Sequence, residues 1–69
     1  MTKKQILENS VQMVRKEKGV TQEQLAEAVG VTRQTIISIE KGNYVPSVLL
    51  AMKIARYFNT TIESLFVII

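Results

Sequence analysis

Arg33 and Gln34 stand side by side in the stretch VTRQTIISIEKG, residues 31–42, and Ser38 follows about one helical turn later. Arginine makes paired hydrogen bonds to guanine, and glutamine to adenine, on the base edges that duplex DNA displays in its major groove. Ile37 adds an apolar side chain of the kind that rests on a thymine methyl. Gln22, Thr35, Lys41, Asn43 and Tyr44 flank this set, and their polar groups can bind phosphate oxygens. The other side of the stretch is apolar, with Val31, Ile36 and Ile39 recurring at roughly helical intervals. The pattern is that of a short helix sealed on one face and presenting an arginine and an amide on the other.

Other chemistries fail for want of residues. The chain has no His, no Cys and no Asp. Thiolate and imidazole metal sites are therefore excluded, as are Ser-His-Asp and Cys-His nucleophiles. The six acids are all glutamates and are scattered, and there is no glycine-rich phosphate loop. A binding module is expected, with no enzymatic activity, no metal and no cofactor.

Size and composition agree. The 69 residues make one domain, 1–69, with 46% hydrophobic and 22% charged residues. At this length only about 60% of the unfolded surface is buried. The net charge of +3 is compatible with nucleic acid without demanding it. No apolar run approaches the ~20 residues of a membrane span. Nothing in Met1 to Glu8 reads as a signal peptide, and the lack of cysteine fits a cytoplasmic setting.

The elements that must position these residues can be placed from caps and periodicity. Leu7, Val11 and Val14 predict an amphipathic helix from about Lys4 to Lys18, stopped by Gly19. Thr21 and Gln24 form a capping-box pair, so a second helix starts at about Gln22, with Leu25, Ala26 and Val29 inward, and ends at Gly30. Thr32 caps a third helix that runs to about Lys41. GNYVPS is a loop, because Pro46 disfavours a helical Val45. Ser47 caps a fourth helix to about Phe58, with Ala51, Ile54, Ala55 and Phe58 inward; Asn59 takes a left-handed exit. Thr60 or Thr61 caps a last short helix through about Phe66, and FVII is the one stretch with strand character. The expectation is an all-α bundle of five short helices with a possible short C-terminal strand.

Two short helices joined by a tight glycine turn cross steeply. Ala26 allows the approach, Gly30 makes the turn, and Leu25, Val29, Ile36 and Ile39 supply the packing. Arg33, Gln34, Ile37, Ser38 and Lys41 are then left projecting. The first turn of such a helix is the part that enters the groove deepest.

From about Val11 to Phe66 the chain resembles the Cro/repressor-type (XRE-like) helix-turn-helix family. RKEKGVTQEQLAEAVGVTRQTIISIEKGNYVPS and AMKIARYF carry the likeness, with Ala26, Gly30, Ile36 and Ile39 in the family's register. The resemblance implies a lambda repressor-like DNA-binding domain, with its helix-turn-helix at about 22–41. It implies a sequence-specific transcription regulator, a repressor binding palindromic operator DNA as a homodimer, in the cytoplasm of a prokaryote or encoded by a phage and associated with the nucleoid. Arg33, Gln34 and Ser38 match base-reading positions, and Gln22 and Lys41 match phosphate-contacting ones. Arg15 and Glu40 match a pair that is partly buried and ionic in relatives. The chain departs from the pattern at Ile37 and Ser38, where relatives often carry a small polar residue and a lysine. It departs again at Leu49, commonly charged, and in the apolar tail at residues 66–69. An antitoxin-like or other protein-interaction module of the same fold is the alternative.

Phe66, Val67, Ile68 and Ile69 follow Ser64 and Leu65 with no polar residue between. With Leu49 and Tyr57 they form a candidate dimer interface, since a contiguous exposed apolar patch marks one. Pairing of two tails across a two-fold axis is expected, and folding of the tail onto its own first helix is the other outcome.

Overall fold

The computed structural model describes residues 7–69. In chain order the elements are β1 (Leu7–Asn9), α1 (Val11–Glu17), α2 (Gln22–Val29), α3 (Arg33–Glu40), α4 (Val48–Tyr57), α5 (Ile62–Leu65) and β2 (Phe66–Ile68). The expectation of five helices holds. The fold is mostly helical, and the short C-terminal strand is present; what was not expected is its partner, since a two-stranded antiparallel sheet joins the two ends of the described chain.

Local chemistry sets the boundaries. The Thr21 hydroxyl accepts from the Gln24 amide at 3.0 Å, and Gln24 Oε1 accepts from the Thr21 amide at 2.9 Å. Thr32, Ser47 and Thr61 cap α3, α4 and α5 through the hydroxyl bond alone, which settles the last cap on Thr61 rather than Thr60. Gly30 closes α2 with φ 78°, a left-handed conformation that lets the chain reverse within the Gly30–Thr32 turn. Asn59 takes the left-handed exit from α4 at φ 56°.

Helix α1 is shorter than predicted. It begins at Val11, and Leu7–Asn9 is extended; the expected Lys4–Ile6 turn lies outside the described residues. The physical reason is at residues 9 and 10. Asn9 Oδ1 accepts from the Val11 amide at 3.2 Å, a local bond that competes with helix continuation. Ser10 donates its amide to the Leu65 carbonyl at 2.9 Å and its hydroxyl to the Ser64 carbonyl at 3.2 Å. The chain is therefore drawn toward its own tail before α1 starts.

Val11, Leu25, Ile36, Ile39, Ile54, Phe58 and Leu65 are fully buried, and α2 packs on both α3 and α4. Each such side chain contributes about 1.5–3 kcal/mol relative to exposure. Leu7, Val14 and Val31 are only partly buried and line the edge of this core.

The strand in FVII is present, but its partner is not the one expected. Leu7, Glu8 and Asn9 register with Ile68, Val67 and Phe66 of the same chain. The tail thus folds back onto the segment expected to begin the first helix, and it meets that segment as an extended strand rather than as a helix. Phe66 consequently turns inward and is buried, so it belongs to the core rather than to an exposed interface. Val67, Ile68 and Ile69 stay exposed.

Candidate nucleic-acid interface

Helix α3 is held from one side. Ile36 and Ile39 are both 0% exposed, while Arg33 and Gln34 in the first turn are exposed. Ile37 and Ser38 are half-buried, so Ile37 is less of a free apolar contact than the sequence suggested. The Thr32 hydroxyl accepts from the Thr35 amide at 3.2 Å and shares a proton with the Thr35 hydroxyl at 3.0 Å. Gln34 Nε2 lies 3.5 Å from Ser38 Oγ, a long contact that leaves the amide free to reach outward.

Two concavities open on either side of that first turn. One is a notch lined by Thr32, Gln34, Thr35, Ser38, Asn43 and Tyr44. It brings together two side chains expected to read bases, Gln34 and Ser38, with three expected to bind phosphate, Thr35, Asn43 and Tyr44. The other is a crevice between the end of α1 and the start of α2, lined by Arg15, Lys16, Thr21, Gln22, Glu23 and Arg33 among others. Lys16 and Arg33 border it against Glu23, with the Arg15 charge compensated by Glu40, so the crevice keeps a small positive excess. Thr21, Gln22 and Glu23 at the start of α2 are part of its lining.

Lys41 is apart from both. It is exposed and borders a cleft with Leu7, Glu8, Asn9, Glu40 and Gly42, on the side of α3 that faces the sheet.

Beneath the crevice sits the expected ion pair. Arg15 Nε donates to Glu40 Oε2 at 2.7 Å, and the two side chains are 9% and 3% exposed. Arg15 Nη2 reaches Glu40 Oε1 at 3.3 Å, and Nη1 donates to the Val20 carbonyl at 2.8 Å. Gln22 joins them: its Nε2 donates to Glu40 Oε1 at 3.0 Å. One carboxylate thus accepts three bonds, and the ends of α1, the start of α2 and the end of α3 are tied at one point. Gln22 was expected at the phosphate backbone. Its carboxamide donor is turned inward to Glu40, while the residue also lines the crevice.

Leu49 and Tyr57 are exposed, as an interface would require, and so are Val45, Val48 and Met52 beside Leu49. The last three were missed. Val48 and Met52 follow each other at i, i+4 on α4, a spacing that was legible in the sequence.

Similarity to known proteins is extensive. The helix-turn-helix family model matches residues 11–65. The chain is 52% identical over 60 residues to an uncharacterized HTH-type transcriptional regulator, YgzD, of Bacillus subtilis, spanning 87% of this chain and 91% of that one. It is 60% identical over 55 residues to another HTH-type transcriptional regulator, from Methanothermobacter thermautotrophicus, spanning 78% of this chain and 80% of that one. Among solved structures, the restriction-modification controller protein C.AhdI of Aeromonas hydrophila superposes with a TM-score of 0.73 at 26% identity, covering 78% of this chain and 82% of that one. A small protein of Bacteroides fragilis superposes with a TM-score of 0.82 at 27% identity, covering 90% of this chain and 100% of that one.

Proposed function

Because this chain belongs to the Cro/repressor-type helix-turn-helix family, we propose that it is a sequence-specific regulator of transcription that binds double-stranded DNA as a homodimeric repressor on a palindromic operator. The observation that carries the reading is the one-sided burial of α3. Ile36 and Ile39 fix the helix, and Arg33 and Gln34 stand exposed in its first turn. That turn enters the major groove, where Arg33 and Gln34 meet base edges and Ser38 and Ile37 follow behind. Thr35, Asn43 and Tyr44 grip one strand through the notch, and the crevice at the start of α2 holds a phosphate of the other. Lys41 contributes charge at the margin.

Two apolar patches support assembly with a second copy. The first is Leu49 with Val45, Val48 and Met52; the second is Val67, Ile68 and Ile69. The first adjoins Tyr44 and the notch, so a two-fold axis there places two α3 helices on one face of a duplex, about 34 Å apart. Selection from a random duplex pool tests the reading. An inverted repeat with half-sites one helical turn apart is the expected product. Recovery of no common sequence would overturn it.

A further inference from the structure

Asn9 lies in β1, outside the residues 11–65 that carry the family likeness. Its Nδ2 donates to the Ile39 carbonyl in the last turn of α3 at 2.9 Å, in a partly buried position. Its Oδ1 accepts from the Val11 amide at 3.2 Å. The two bonds fix the orientation of the amide, since the opposite one would set oxygen against oxygen and N–H against N–H. The Ile39 carbonyl also accepts from Gly42, and the Ser38 carbonyl from Asn43, so this turn is where α3 runs into the loop that bears Asn43 and Tyr44.

We propose that Asn9 is a positioning residue for the recognition helix, through which the terminal sheet sets the pose of the end of α3 and of the Asn43–Tyr44 loop. The chain of contacts is continuous. β2 holds β1 by the Asn9–Phe66 register and the Ser10–Leu65 bond. β1 holds Asn9, and Asn9 holds Ile39. Phe66 and Ile39 are both buried, so each end of this strut is anchored in the core. The Arg15–Glu40–Gln22 cluster fixes the adjacent residue of α3 from the opposite direction, toward α1 and α2. With both in place the last turn of α3 has no free rotation about its own axis. The tether exists independently of DNA, while its effect on base discrimination rests on the function proposed above.

Two substitutions in the full chain separate the bonds. Asn9→Ser keeps a short local acceptor for Val11 and cannot reach Ile39. Asn9→Asp keeps the shape and the acceptor and removes the donor. Amide hydrogen exchange is measured first on the free proteins. Asn9→Ser should speed exchange at Lys41, Gly42 and Asn43 by about fivefold, the weight of one such bond, and Asn9→Asp by more, because it sets an oxygen against the Ile39 carbonyl, with α4 amides unchanged in both. Unchanged exchange at those three amides, or an equal acceleration throughout α2 and α4, would overturn the tether. Binding is then measured for Asn9→Ser on the selected site and on random duplex. The ratio of the two affinities should fall by about fivefold, with the random-duplex affinity constant. An unchanged ratio would overturn the positioning role. A wild-type protein without any sequence preference would overturn the proposed function instead, and the exchange pattern alone would then decide the tether.

Discussion

Replacing Arg15 by Met isolates the buried charge at the centre of the helix-turn-helix. Methionine keeps most of the stem that packs beneath Val20 and removes the guanidinium. Glu40, whose side chain is 3% exposed, is left with the Gln22 amide as its one described partner at 3.0 Å. The Val20 carbonyl loses its donor at 2.8 Å. Breaking a buried pair from one side costs about 3–5 kcal/mol, because the surviving charge has no water. A domain of 69 residues holds roughly 3–10 kcal/mol in total, at about 0.05–0.15 kcal/mol per residue. Arg15→Met should therefore lose about a third or more of the total, and it reaches its unfolding midpoint without denaturant if that total lies near the low end of the range. Glu40→Gln should lose a comparable amount, since it strands the arginine instead. The double variant Arg15→Met/Glu40→Met strands no charge. What remains uncompensated is the Val20 carbonyl and the Gln22 amide, at about 1 kcal/mol each, and Gln22 is half-buried and can turn to solvent. The double variant should thus be more stable than either single one. Urea unfolding followed by circular dichroism, with slopes compared across the series, gives the coupling energy. Losses below about 1 kcal/mol for each single variant, adding up in the double, would mean a pair screened by solvent and would refute the argument.

Arg33→Ala and Gln34→Ala should each cost about 1–3 kcal/mol on the selected site and relax preference at one base pair per half-site, whereas Lys41→Ala should weaken all duplexes alike and lower the salt slope by about 1; titrations at several salt concentrations distinguish the two patterns. Gly30→Ala meets nothing within 4 Å of the added Cβ, so its cost is that of φ 78° alone, about 1–2 kcal/mol in thermal unfolding, and a larger loss would mean the turn is packed. Leu49→Glu and Ile68→Glu change side chains that are 64% and 65% exposed, so each should fold normally. In sedimentation, the one that yields a monomer marks the dimer interface, and a dimer in both cases would reject both patches. Substitution is needed here because deleting Val67 to Ile69 would also strip β1 of its partner.

The helix-turn-helix was legible because each of its signals is local. Thr21 with Gln24, Gly30, Thr32, and the spacing of Leu25, Val29, Ile36 and Ile39 all act within one or two turns, and all are found where expected. The Arg15–Glu40 pair was legible only through resemblance, since nothing near either residue in the chain points to the other. The terminal sheet was half legible. β2 announces itself by four apolar residues in a row, but β1 is three residues, Leu-Glu-Asn, embedded in a pattern of helical period. Its extended state is imposed from the far end of the chain, by Leu65, Phe66 and Ile68. The inward bonds of Asn9 and Gln22 were not legible for a related reason. An amide side chain advertises a hydrogen bond but not its direction, and here both turn inward onto α3.

Closing the two ends of the described chain upon each other has a consequence for how the molecule folds. The four helices from α1 to α4 nucleate from neighbours in sequence and form early, as local contacts do. β1 and β2 meet only after nearly the whole chain has been looped back, so their pairing is expected to come last and to be the most readily undone. During synthesis, residues 7–9 emerge first and wait for residues 66–68 to arrive. Until the strands pair, the last turn of α3 lacks its brace and each strand leaves an edge open to a neighbouring polypeptide. Rapid mixing with pulse-labelled exchange should find β1 and β2 protected last, after the α2 and α3 amides have closed.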